Sequence, residues 1–223
     1  MTRYLTLVGL LAFLGTAPSF ADQRKDWCGI LGNTSVVIPN VFLFYPPERD
    51  GDSWSSDRRS SIPTECDKKL KSIVLEFYYP NMEAAGLRNP YDDPDQRHVQ
   101  LALSALPAGY STSMLTRRIG RYVPEYEQHE YNNKKFGLFV NRSLDPVYRK
   151  NALEALWQAD KNSEIKIIII CRQVNKGFSS VCKLNYVRDD IPVEVNVRFS
   201  YNMLSEWSAI MGKANFLIDS LQK

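Results

Sequence analysis

Histidine is almost missing from this chain: His98 and His129 are the only two in 223 residues. Chemistry that needs several imidazoles in one place has little to draw on. The four cysteines, at 28, 66, 171 and 182, include no C-x-x-C pair. That excludes both a close-spaced zinc clasp and a thioredoxin-like redox pair. The 11 glycines are scattered and make no phosphate-cradling loop, and no G-x-S-x-G elbow marks a serine nucleophile. Lys and Arg number 28 against 25 acids, a net charge of +3 with no block of like sign. The chain therefore lacks the basic tract of a nucleic-acid or anionic-membrane binder. Beyond residue 21 no apolar run is long enough to cross a bilayer.

What is present begins with the opening MTRYLTLVGLLAFLGTAPSFAD. Arg3, an apolar run from Leu5 to Leu14 and the ending Ser19-Phe20-Ala21 have the three parts of a secretory signal peptide over residues 1–21. The apolar run is about half of the roughly 20 residues a membrane helix needs, and Pro18 interrupts it. Lys25-Asp26-Trp27-Cys28 carries none of the small and aliphatic residues that lipidation requires. The expected mature chain, 22–223, is one domain with a net charge of +2, no membrane insertion and a periplasmic address.

An oxidising compartment changes what the cysteines mean. An even count there favours disulfides, and of three possible connectivities the pairing of sequence neighbours is preferred, Cys28 with Cys66 and Cys171 with Cys182. These are structural staples, with no metal and no cofactor implied.

The C-terminal third is the most legible. EIKIIIICR (164–172), SVCKLNYVR (180–188) and PVEVNVRFSY (192–201) carry β-branched residues with polar ones interleaved and turn formers between them. They predict a three-stranded antiparallel meander. With Cys171 opposite Cys182, Ile169 falls opposite Leu184 and Ile167 opposite Tyr186. A tight turn at Asp189-Asp190 then sets Tyr186 against Val193, Leu184 against Val195 and Cys182 against Val197, all on one face. From Met203 the apolar spacing becomes three and four, through Leu204, Trp207, Ile210, Met211, Ala214, Leu217, Ile218 and Leu221. This predicts an amphipathic helix, capped by Asn202, lying on the meander with Trp207 in the core. The expected fold class is α+β: an antiparallel, disulfide-stapled sheet covered by a C-terminal helix.

Elsewhere, Val36 to Tyr45, Ser72 to Tyr79 and Lys135 to Asn141 predict strands. Asp145-Pro146 followed by Leu153, Leu156 and Trp157 predicts a short helix. Residues 98–106 fit either a helix or a strand, and Pro46 to Pro63 forms a polar loop.

Candidate chemistry is sparse. His129 lies between Glu127 and Glu130, and His98 follows Asp92, Asp93 and Asp95, but that acidic run lacks the ligand alternation and turn glycine of a calcium loop. The segment GRYVPEYEQHEYNN is different, being both aromatic and acidic. Tyrosine offers contact area with a hydrogen-bonding tip. Tyr122, Glu125, Tyr126, Glu127, Glu130 and Tyr131 are therefore the candidate partner-binding residues, suited to a basic partner.

Phe136-Gly-Leu138, an Ile-rich strand ending in Cys171, Cys182, the V-E-V-N-V-R-F strand, Leu204-Ser-Glu-Trp207 and the YYPNM of Tyr78 to Met82 together resemble a pattern in periplasmic immunity proteins of type VI secretion effectors. The resemblance covers roughly 136–221 and implies a non-enzymatic protein that binds and neutralises a cognate toxic effector, a phospholipase or a cell-wall hydrolase. The alternatives are a periplasmic hydrolase using dispersed carboxylates with His98 or His129, and an envelope-associated binding module.

Overall fold

The computed structural model describes residues 26–51, 66–86, 95–107, 110, 113–123, 134–142, 152–173 and 180–223. The expected signal peptide lies outside them. Among the described residues twelve strands form one mixed sheet. In chain order they are β1 (Trp27–Leu31), β2 (Thr34–Ile38), β3 (Glu48–Arg49), β4 (Lys69–Tyr78), β5 (Glu83–Ala84), β6 (His98–Ala105), β7 (Lys134–Lys135), β8 (Leu138–Asn141), β9 (Ala152–Ala159), β10 (Ile165–Arg172), β11 (Val181–Arg188) and β12 (Val193–Ser200). Two helices join them, α1 (Ser113–Gly120) and α2 (Trp207–Leu221). The strand order is β2-β1-β4-β6-β12-β11-β10-β9-β8-β7, with β3 and β5 paired to β4. β1 runs parallel to β4, and the other pairs are antiparallel.

The three-stranded meander is thus corrected to the middle of a much larger mixed sheet. β12 hands on to β6, which is about 90 residues earlier in the chain, and β10 hands on to β9. Local alternation identifies a strand but says nothing about a neighbour so distant in sequence. The first hairpin has its expected register, Cys171 opposite Cys182, Ile169 opposite Leu184 and Ile167 opposite Tyr186. The second is displaced by two residues: Tyr186 faces Val195, Leu184 faces Val197 and Cys182 faces Phe199. The connection is four residues, 189–192, because pairing ends at Arg188 and Val193. A slip of two keeps every side chain on its face, so alternation could not distinguish the two registers.

The predicted helix around Leu153 to Trp157 is instead β9. Leu156 enters one core and Ala155 and Trp157 the other, and a strand buried on both faces has no amphipathic period to read. The strand expected from Lys135 to Asn141 is a hairpin whose two-residue turn, Phe136-Gly137, has φ of 52° and 79°. Positive φ at both central positions is the type I′ geometry that suits the twist of paired strands. YYPNM is also a turn, with the Met82 amide donating to the Tyr78 carbonyl at 2.9 Å as β4 folds back into β5.

The main core lies on one face, where Ile73, Leu75, Phe77, Leu101, Leu103, Val195, Val197, Leu184 and both Cys171 and Cys182 meet α2. Six α2 residues are buried, Trp207, Ile210, Ala214, Leu217, Ile218 and Leu221. Each large one contributes about 1.5 to 3 kcal/mol by leaving water. The helix is entered through a 3-10 segment, Tyr201–Glu206, which Ser200 rather than Asn202 caps, its side chain accepting from the Asn202 amide; α2 itself starts after Glu206 without a side-chain cap. A second core occupies part of the opposite face, where Leu115, Ile119 and Val123 of the α1 region cover Ala155, Trp157, Ile165, Ile168 and Ile170.

Candidate functional site

Among the described residues the apolar side of α1 packs mainly over β8, β9 and β10 on the second face. Beyond it the outward side chains of β10, β11 and β12 are largely polar, and with the end of α1 they form a groove of about 470 Å³. Among the described residues its lining is Arg118, Arg121, Tyr122, Ile170, Arg172, Val181, Lys183, Asn185 and Arg198. Five of these nine residues are cations and none is an acid.

The strand registers put the charges there. Ile170, Lys183, Arg198 and Gln100 lie in one cross-strand row over β10, β11, β12 and β6. Lys183 is directly opposite Arg198, and like charges in that relation repel. Arg172 is opposite Val181, one diagonal step from Lys183. From the helix side, Arg118 donates from Nη1 to Asn185 Oδ1 at 2.7 Å and pairs with Glu194 just outside the groove. Arg172 donates to the Tyr122 hydroxyl and stacks with its carbon 5.5 Å from the ring centroid. Arg198 reaches Gln100 Oε1 at 3.5 Å, and Gln100 in turn donates to Glu76 Oε1 at 3.0 Å. Lys183 keeps much of its surface open to solvent, yet the groove walls crowd its ammonium. Its pKa is lowered, first by burial and then by Arg118, with Arg198 and Arg172 adding to the effect and Glu194 opposing it. Among the described residues the groove gathers five cations, of which Arg118 is paired with Glu194, an arrangement suited to binding anions.

Of the residues expected to bind a partner, Tyr122 lies on the groove wall. Glu125, Tyr126, Glu127, Glu130 and Tyr131, with His129, fall outside the described residues. Both cysteine pairings are present: Cys28 is bonded to Cys66 and Cys171 to Cys182. No cysteine is left free. His98 begins β6, and its Nε2 lies 3.2 Å from Glu76 Oε2, so the structure does bring one histidine to a carboxylate. The pair is largely enclosed, with side chains 14% and 3% exposed. Among the described residues no group of three or more His, Cys, Asp or Glu could hold a metal ion. None of their helices is long and apolar enough to cross a membrane.

The cationic groove escaped sequence reading because its charges are dispersed through positions 118, 121, 172, 183 and 198. The available signal was the outward set of the same alternation that identified the core: Lys183 and Arg198 are the residues between the apolar ones.

No protein-family model matches the chain, and no curated protein does. Two solved structures are similar along nearly its whole length. One is an immunity protein of the Stenotrophomonas maltophilia type IV secretion system, at 12% identity and a TM-score of 0.61, covering 89% of this chain and 94% of that one. The other is FrpD, an iron-regulated outer membrane lipoprotein of Neisseria meningitidis, at 13% identity and a TM-score of 0.50, covering 89% and 93%. At these identities the likeness is one of fold. The immunity protein it points to belongs to a type IV system, where the sequence resemblance suggested type VI.

Proposed function

We propose that this chain is an exported, non-catalytic binding protein that neutralises a toxic effector by occupying it. The observation that carries this reading is the end-to-end fold likeness to a secretion-system immunity protein, with 94% of that chain covered. Three features support it. The two disulfides suit an oxidising compartment, in keeping with the signal-peptide pattern of residues 1–21 and a periplasmic location. The broad sheet, covered by α2 on one face, forms a stiff platform. The accessible groove on the other face offers charge for recognition.

A hydrolase reading draws on the His98–Glu76 pair. Its enclosure, and the use of Glu76 as acceptor for Gln100, favour a structural role in β4–β6 pairing. Phospholipases and cell-wall hydrolases remain the effector classes suggested by the resemblance. The test is to direct the product of the adjacent gene to the periplasm with and without this protein. Survival only in its presence is expected. If the cells die equally in both, the reading is wrong. A His98→Gln variant that retains full protection would remove the hydrolase reading that draws on the His98–Glu76 pair.

A further inference from the structure

Resting on the proposed neutralising function, we infer that the groove is the recognition site for the partner and that it receives an extended, carboxylate-rich segment of the effector. Three observations select this ligand. The first is the energetic cost of the arrangement. Lys183 directly opposite Arg198, with Arg172 one diagonal step away, is a repulsive set that the fold alone does not require. Such a set is resolved by an anionic partner.

The second is spacing. Diagonal neighbours on an antiparallel sheet are about 7 Å apart. Alternate side chains of an extended peptide are separated by roughly the same distance, two rises of about 3.4 Å. Carboxylates at every second position of a bound segment therefore match Arg172 and Lys183, and Arg198, directly opposite Lys183 and nearer to it, shares the second carboxylate. The third is the shape and lining. The cations come from three strands and one helix and do not converge on a point, while Ile170, Val181 and Tyr122 between them can take the methylene stems of glutamate. The helix-terminus type of phosphate site needs a helix N-terminus. Here the helix contributes its C-terminal end, since Arg118 is in the last turn of α1 and Arg121 lies just past it.

The probe is the peptide Ac-Glu-Ala-Glu-Ala-Glu-NH2, titrated against the oxidised protein with NMR detection at low salt. Inorganic pyrophosphate and phosphatidylglycerol vesicles serve as the alternative anions. Saturable binding is expected, with shifts confined to Arg172, Lys183, Arg198 and Tyr122 and a loss of affinity as salt rises. Each exposed ion pair is worth roughly a factor of three, so K183Q/R198Q should weaken the peptide about tenfold. Because that variant relieves repulsion, it should unfold no earlier than the parent, which separates lost recognition from lost structure. No saturable binding, an unchanged affinity in the variant, or tighter binding of pyrophosphate or vesicles through the same residues would overturn the inference.

The neutralisation assay tells the two proposals apart. If the parent protects and K183Q/R198Q protects equally, the groove assignment falls and the immunity function stands. If the parent fails to protect while the peptide still binds in the groove, the function falls and the assignment of the groove to acidic segments stands.

Discussion

Replacing Lys135 by methionine should destabilise the protein by about 3 kcal/mol, twice the effect of neutralising the carboxylate it meets. Lys135 ends β7, and its Nζ lies 2.6 Å from Glu154 Oε1 on β9 and 3.1 Å from the Tyr201 hydroxyl. Tyr201 itself donates to Glu154 Oε1 at 3.0 Å, and Arg142 Nε is 3.5 Å from Oε2. Glu154 is 1% exposed, whereas the Lys135 side chain retains 22%. Removing the partner of a fully buried charge costs about 3 to 5 kcal/mol. In K135M the stranded carboxylate is fixed to a strand and cannot reach water, but it keeps Tyr201 and the largely exposed Arg142, which places the cost at the low end. In E154Q the new amide oxygen still accepts from Lys135 and Tyr201, and the flexible lysine stem can carry its ammonium outward, so the cost falls to about 1.5 kcal/mol. Urea unfolding of both variants at pH 7 checks this. Equal effects, or a K135M loss under about 1 kcal/mol, would refute the asymmetry.

The same pair predicts a pH dependence. Burial lowers the Lys135 pKa, but its hydrogen bonds to Glu154 and Tyr201 outweigh that, and the net displacement is upward from 10.5. A raised folded pKa contributes stability that is fully present below the unfolded value and disappears as pH rises through the folded one. The gap between parent and K135M should therefore stay constant from neutral pH to about 10 and close above it. A gap that closes between pH 7 and 9 would mean that the ion pair is not its source.

Other outcomes depend on single contacts. C171A/C182A opens a loop spanning 11 positions and should cost about 3 kcal/mol, measured by urea unfolding against the oxidised parent. Gly29→Ala should cost about 1 to 2 kcal/mol in the same assay, because the added carbon would sit 2.6 Å from Cγ of buried Leu70. The hydrogen bond from Arg188 holds the Asp190 carboxyl down at about 2, against the opposing effect of burial. Stability from that contact is present above the ordinary aspartate value of 3.8 and declines as pH falls toward 2, so D190N should flatten a shallow acid limb in thermal melts. An acid limb that is unchanged in D190N would assign it to other carboxylates.

Much of the local architecture was written in residue order. Alternation in SVCKLNYVR and VEVNVRF set strand identity and faces, because a side chain in a strand has only two directions to point. The paired positions of Cys171 and Cys182 then fixed one hairpin, and the three-and-four spacing from Leu204 to Leu221 specified the covering helix. What alternation could not resolve was any choice that leaves it unchanged, such as the two-residue displacement of β12. It was equally silent where both faces are buried. The IIII run and ALEALWQA belong to strands between two cores, and the second core exists only because α1, some 50 residues upstream of β10, folds over it.

The candidate site divides in the same way. Sequence determined that Lys183 and Arg198 point away from the main core, that the thiols pair, and that the chain carries almost no imidazole for catalysis. Only the tertiary structure decided that Arg118, Arg121, Arg172, Lys183 and Arg198 share one groove. Electrostatic potential depends on distance in space, and those five charges are neighbours only after β10, β11 and β12 have paired and α1 has closed beside them.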